Sequence, residues 1–411
     1  MDYYDQLETQ DRTTREARLL AALPRQIAHA QRHAPAFAQV LAGVDATRIT
    51  SRAALADLPV TRKSDLMELQ KPNRPFGGLV TVASGDLARV FQSPGPIYDP
   101  EARRPDYWRF ARALFAAGFR KGELIHNTFS YHFTPAASML ETGAQALGCA
   151  VFPAGVGQTE LQVMAITDLK PQGYVGTPSF LKIILDKAAD LRADVSSLTK
   201  ALVTAEALPL SLRKEFQERG IRAQQCYATA DLGLIAYETP ALEGMLVDEE
   251  VIVEIVRPGT GTPVVEGEVG EVVVTTLNSE YPLIRFGTGD LSAVLPGYSP
   301  CGRTNTRIKG WMGRADQTTK VKGMFVHPSQ VAEVLRRHPQ VMKGRLIVDR
   351  EGHADVMTLH CEVAGNGTPA QAQVIAASLR EVCKLRGNVA LVGPGALPND
   401  GKVIDDIRKY D

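Results

Sequence analysis

The sequence predicts an α/β protein with a large mixed α/β N-terminal domain and a small α+β C-terminal domain. Three observations carry that expectation. Between residues 124 and 227 short apolar runs alternate with helical stretches, which implies a mostly parallel sheet covered by helices on both faces. After Met245 the pattern turns to β-rich segments separated by Gly and Pro, as antiparallel strands require. Near Gln317 a smaller set of helices and strands begins. The expected division is therefore residues 1–315 and 316–411.

Taken in order, residues 11–33 read as an amphipathic helix with Leu19, Leu20, Leu23, Ile27 and Ala28 on one side. The alternation follows: a strand at Leu124–His126, a helix at Ala136–Leu147, a strand at Cys149–Phe152 and a helix at Thr159–Leu169. Tyr174–Gly176 is the next strand, and Thr177-Pro178 supplies the cap and first turn of a helix running to Leu191. Ala201–Thr204 and Gln224–Tyr227 read as strands around a helix at Leu212–Arg219. In such sheets ligands bind at the carboxyl ends of strands. Val251–Val256 and Glu271–Thr276 are the antiparallel segments. In the C-terminal part, helices are expected at Pro328–Arg337 and Pro369–Cys383, with strands at Leu346–Val348, Val356–Cys361 and Val389–Val392.

Composition narrows the class. A chain of 411 residues, 44% hydrophobic and of zero formal charge, buries a large core and exerts no long-range pull on nucleic acid or an anionic membrane. Its five cysteines are scattered without a CxxC pair, so free thiols in a reducing compartment are expected. The polar start and the lack of a long apolar run point to a cytoplasmic location. No HExxH pair and no GxSxG elbow is present, which removes the sequence anchors for a zinc hydrolase and an α/β-hydrolase triad.

Several short motifs carry chemistry. They are Tyr281-Pro282-Leu283-Ile284-Arg285-Phe286-Gly287-Thr288-Gly289-Asp290-Leu291, Tyr227-Ala228-Thr229-Ala230-Asp231, Thr204-Ala205-Glu206-Ala207-Leu208, Gly313-Arg314-Ala315-Asp316 and Leu397-Pro398-Asn399-Asp400-Gly401-Lys402. In this order, over almost the whole chain, they resemble the phenylacetate-CoA ligase branch of the adenylate-forming enzymes. The resemblance implies a nucleotide- and acid-binding N-terminal domain, a mobile C-terminal lid, and formation of an acyl-adenylate before a thioester. ATP, Mg²⁺ and CoA are the implied cofactors. A small carboxylic acid, aryl or aryl-acetic, is the implied partner, with homodimer formation left open.

Residue by residue, Asp290 offers a carboxylate to a ribose diol and Gly289 permits close backbone approach; a turn-capping role for Asp290 is the alternative. Tyr227 can lie on an adenine face, with Thr229 and Ala230 beside the phosphate or acyl group and Ala228 among the nucleotide-binding residues, or it is a core aromatic. Ala205 lets backbone lie along the purine; Glu206 contacts the nucleotide or is a first-turn acid. Asp231 stands where the family has a metal-binding glutamate, and its arm is one methylene shorter. Tyr131, His132 and Phe133, in an aromatic run after a strand, enclose the acid or merely pack a loop. The resemblance also implies that Arg314 meets nucleotide oxygens, Asp316 is the hinge and Lys402 is the lid lysine that stabilises charge during adenylation, with a surface salt bridge for Arg314 and a solvent-facing Lys402 as the alternatives.

One stretch departs from the family. Gln92-Ser93-Pro94-Gly95-Pro96-Ile97-Tyr98-Asp99-Pro100 stands where relatives carry a Ser, Thr and Gly-rich phosphate loop followed by Lys-Pro. Two prolines remove amide donors and the lysine is missing. Ser93 and Gly95 remain as a shortened cradle. Beside the ligase reading stand a weakly active or non-catalytic adenylate-binding protein and an acyl-AMP ligase with another acceptor.

Overall fold

The computed structural model describes residues 2–93, 97–258, 261–315, 319–322, 324–326, 328–351, 354–365, 367–398 and 402–408. The amphipathic stretch near the start forms the helix Arg12–His33, whose first turn is closed by the Asp11 side chain accepting from the Thr14 amide. Leu19, Leu23, Ile27 and Ala30 are buried, and Leu20 and Ala28 pack against the same core. That core is completed by strands far along the chain, among them Val251–Val256 and Gly270–Thr276.

A nine-stranded sheet forms the centre. From one edge, Ala150–Pro153, Leu124–Asn127, Gly173–Gly176, Lys200–Val203 and Arg222–Thr229 run parallel. The next four strands, Gly233–Tyr237, Met245–Val247, Arg307–Ile308 and Val294–Leu295, continue antiparallel. The strands of the 124–227 alternation are thus parallel as expected, and four antiparallel strands extend them into a mixed sheet. Only Ala230–Leu232 separate Arg222–Thr229 from Gly233–Tyr237, and a connection that short can only reverse the chain. Gly233 makes the reversal possible: its φ is +71°, and a Cβ there would meet the Trp108 carbonyl oxygen at 2.9 Å.

A second sheet, in the order Thr61–Arg62, Phe286–Ser292, Gly270–Thr276 and Val251–Val256, positions much of the site. Phe286–Ser292 holds Asp290 in its interior rather than at a strand end or in a turn. Thr61–Arg62 lies parallel to its start, so Lys63 emerges beside it. The stretch read as a phosphate loop is a hairpin, Leu87–Ser93 with Ile97–Ala102, in which Ser93 faces Ile97. Its tip, residues 94–96, is outside the described residues and includes Gly95.

The C-terminal part folds around its own sheet, ordered Asn388–Val392, Ala354–Val363, Val341–Glu351 and Ile404–Asp406. The helices Pro328–Arg337 and Pro369–Cys383 contribute Val331, Val334, Ile375 and Leu379 to its core. The two central strands form a hairpin longer than expected, because the polar residues of an alternating strand interrupt the apolar run that marks it in the sequence. All five cysteines are buried and free. No described helix is long and apolar enough to cross a membrane.

Candidate active site

The parallel strands Lys200–Val203 and Arg222–Thr229 end at a cavity of about 300 Å³ lined by residues 204–207 and 225–228 together with Asp290 and Trp311. Ala205, Glu206, Tyr227, Ala228 and Asp290, which come from three motifs, meet there. Ala205 has a φ of +69°, a conformation costly for a non-glycine residue and concentrated at functional sites. Glu206 is exposed, and one of its oxygens accepts from the Ser179 amide at 3.3 Å.

Asp290 organises one wall. Its Oδ2 accepts from the Tyr227 hydroxyl at 2.8 Å, and its Oδ1 accepts from Trp311 Nε1 and from Arg314 Nη1, both at 3.1 Å. Backbone pairing presents the last two groups. Leu291 donates to the Gly313 carbonyl at 2.8 Å, Met312 to Leu291 at 2.9 Å and Ala315 to Gly289 at 2.6 Å, so residues 311–315 run as a ribbon along the Asp290 strand. Burial first, then the Asp290 charge, holds the Tyr227 phenol well above its ordinary pKa, and the ring acts as a neutral donor. The carboxylate is buried, while Arg314 is about half exposed at the cavity margin.

The side facing the hairpin is built differently. The Asp231 carboxylate is fully buried and takes the Lys63 ammonium at 2.5 Å through Oδ2. Asp99, on the hairpin, is completely buried as well. Burial first, then the negative charge of Asp231, pushes its carboxyl well above the usual range, with Lys63 opposing. Ser93 is near Asp99, yet its hydroxyl points to the Ile97 carbonyl at 3.4 Å. Thr229 does not line the cavity; its Oγ1 accepts from the Leu232 amide at 3.2 Å and shapes the turn that presents Asp231.

Other expected site residues lie elsewhere. Tyr131, His132 and Phe133 are exposed and outside the cavity lining. The Tyr131 hydroxyl donates to Glu141 at 2.7 Å, and the Phe133 carbonyl accepts from the Gln92 amide at 2.8 Å, which ties this loop to the hairpin. Lys402 is paired with Asp405 at 2.7 Å and does not line the cavity. Asp316 is outside the described residues. Sequence reading missed Trp311, although an indole between Gly310 and Gly313 was a signal. It also missed Lys63 and Asp99, which only long-range strand pairing brings to Asp231.

The comparisons with known proteins match this architecture. The family model described as AMP-binding enzyme covers residues 108–278, and its C-terminal domain model covers residues 323–406. The phenylacetate-coenzyme A ligase of Thermus thermophilus is 32% identical, covering 89% of this chain and 85% of its own. That of Escherichia coli K12 is 30% identical over 92% of each chain. Among solved structures, 2-hydroxyisobutyryl-CoA ligase in complex with 2-HIB-AMP and CoA superposes with a TM-score of 0.72 at 24% identity, over 98% of this chain and 92% of its own, a likeness of fold. Fold and cavity together thus define an AMP-binding enzyme with both of that class's parts. Within the class, the chain belongs to the phenylacetate-CoA ligase-like branch of the adenylate-forming enzymes.

Proposed function

We infer that the chain is an ATP-dependent carboxylate-CoA ligase that works through an acyl-adenylate, with an aryl or aryl-acetic acid as substrate. The observation that carries this reading is the Asp290 wall, a buried carboxylate held by Tyr227, Trp311 and Arg314 at the edge of a strand-end cavity. It stands in a chain 32% identical to a phenylacetate-coenzyme A ligase.

In this reading Ala205, Glu206, Tyr227 and Ala228 cradle the adenine, and Asp290 accepts from the ribose hydroxyls. A carboxylate has about four acceptor positions, and three are used by protein donors, so room for ribose remains and widens if Arg314 turns to the phosphate. Asp231 keeps one oxygen, Oδ1, without a donor, a hard ligand that fits Mg²⁺. When bound, the metal neutralises charge on the nucleotide phosphates. Ser93 and Gly95 border the phosphates with few amides to offer. Tyr131, His132 and Phe133, tied to the hairpin through Gln92, sit where the acid enters.

The lid comprises residues 316–411 and turns about Asp316 to deliver Lys402 to the carboxylate and α-phosphate. In exchanging Asp405 for that developing charge, Lys402 stabilises the transition state more than the ground state. A cytoplasmic location and the absence of a nucleic-acid partner belong to the same reading, supported by the balanced charge. The short hairpin between Ser93 and Ile97 favours a second reading, an adenylate-binding protein of slow turnover.

Mass spectrometry after incubation with ATP, Mg²⁺, CoA and a panel of aryl acids tests both. Acyl-CoA is expected. Accumulated acyl-AMP without thioester rejects CoA as acceptor, and no pyrophosphate release with any acid favours the slow or non-catalytic protein.

A further inference from the structure

A second cavity, of about 250 Å³, opens at the other end of the strand Arg222–Thr229. Residues 225–228 line the cavity beside Asp290 and residues 222–224 line this one, and the two linings share none of the described residues. Its walls are apolar. Ala116 and Ala117, at the end of the helix Phe110–Ala116, are buried there, as are Ile221 and Ala223, while Leu242 contributes a large apolar side chain that is 48% exposed. Alternation along the strand puts Gln224 on the same face as Cys226, which packs in one core with Ala116 and Ala117. Gln224 is only 7% exposed, and its Oε1 has no hydrogen-bond partner among the described residues. A buried amide oxygen without a donor has lost its water and gained nothing from the protein in return. Charge beside it is already answered: Arg213 donates to both Glu238 oxygens, at 2.8 and 2.9 Å, and Arg222 is exposed to solvent.

We propose that this cavity binds a compact, neutral molecule of one ring that carries a hydroxyl, the hydroxyl donating to Gln224 Oε1 and the ring filling the space between Ala117, Ile221 and Leu242. Volume sets the size of the occupant. A dry apolar cavity of about 150 Å³ takes up benzene, so this larger one accommodates a ring with a substituent. The orphan oxygen sets the polar group, because one convergent acceptor in an apolar lining fixes the orientation of a small ligand. With Arg213 paired and Arg222 in water, no buried cation waits for an anion, and a phenol or alcohol suits the site better than a carboxylate. The occupant is therefore distinct from the acid that the chain is proposed to activate. It also lies at the opposite end of the strand from the carboxyl ends where such sheets place their chemistry. The existence of this site does not depend on the ligase reading.

The test uses para-fluorophenol and, as the matched probe without a hydroxyl, para-fluorotoluene, each titrated against the full chain and followed by its fluorine resonance. The parent is expected to bind para-fluorophenol saturably. Gln224→Leu is expected to weaken para-fluorophenol while leaving para-fluorotoluene as tight or tighter, so that the ratio of the two affinities moves by about fivefold, the worth of one hydrogen bond. Leu242→Asn removes the apolar side chain at an exposed position whose φ of +53° asparagine adopts readily, and is expected to weaken both probes alike, by about twofold or more. Circular dichroism checks folding, and Gln224→Leu is expected to melt no lower than the parent, since it replaces an unpaired buried amide. No saturable binding by the parent overturns the site and leaves water as the partner of Gln224. An affinity ratio unchanged by Gln224→Leu, with the variant folded, places the phenol elsewhere and overturns it too. Should Gln224→Leu not fold, Leu242→Asn decides: weakened binding of both probes upholds the site, and unchanged binding removes it.

Discussion

The two sides of the active site are built on opposite terms. On the Asp290 side three donors converge on one acid. On the Asp99 side two acids share one lysine and four polar atoms are left over. A satisfied network is rigid and specifies one geometry, whereas two buried acids side by side favour a neutral, shared-proton state. The first side is thus preorganised, and the second is held by burial and shared charge between its two acids.

The largest expected effect comes from outside both walls. If neither can replace the lid lysine, Lys402→Ala lowers acyl-adenylate formation by roughly a hundredfold or more, the cost of about 3 kcal/mol when one charge-stabilising donor is lost. Pyrophosphate release measures it, and an unchanged circular dichroism spectrum shows that folding is intact. Nearly full activity would mean that the walls alone carry the chemistry and that the Lys402 assignment is wrong.

Breaking the satisfied wall comes next. Asp290→Ala leaves the Tyr227 hydroxyl and the Trp311 N–H without their acceptor, and weakens ATP binding by about 2 kcal/mol, the usual worth of hydrogen bonds to a charged group. Calorimetry on the folded variant reads this directly. Unchanged affinity with lowered stability would reduce Asp290 to a structural role.

The same kind of change on the other wall has the opposite sign. Above the ordinary carboxylate range, Asp99→Asn should stabilise the protein by about 1 kcal/mol or more, because it removes a carboxyl whose charged form burial and Asp231 disfavour and gives Asp231 a permanent donor. Since the folded-state pKa of Asp99 lies above its unfolded value, the parent loses stability as pH rises from the ordinary carboxylate range. The gain is therefore small in acid and grows with pH. Thermal unfolding across pH reveals it, and a destabilised variant at neutral pH would show that Asp99 has a hidden protein partner.

The smallest effect sharpens the first wall. Trp311→Phe keeps the ring and removes one N–H, so ATP affinity falls by only about 1 kcal/mol. A loss as large as that of Asp290→Ala would make the indole, not the acid, the centre of the wall.

Much of this was legible because it is local. Strand and helix periodicity from residue 124 to 227, the Thr177-Pro178 helix start and the motifs containing Asp290, Tyr227 and Arg314 depend on neighbours a few residues apart, where hydrophobic period and backbone preference act. The antiparallel half of the central sheet was less legible. Its strands, such as Met245–Val247, are too short to show alternation. Tyr131, His132 and Phe133 read as acid-side residues from their aromatic density; they are exposed and lie outside the lining of the cavity beside Asp290.

By itself the sequence determined the class of protein and singled out the Asp290 and Tyr227 motifs and the departure around Ser93, since each is a matter of residue type at close spacing. Only the tertiary structure decided that Asp290 sits within a strand flanked by the 311–315 ribbon and that Trp311 reaches it. It alone brought Lys63 to Asp231 and faced Asp231 with Asp99 and Tyr281. The reason is the range of the forces involved. Periodicity is set by backbone geometry within a few residues, whereas strand pairing joins Thr61 to Phe286 and thereby fixes which buried charges must live together.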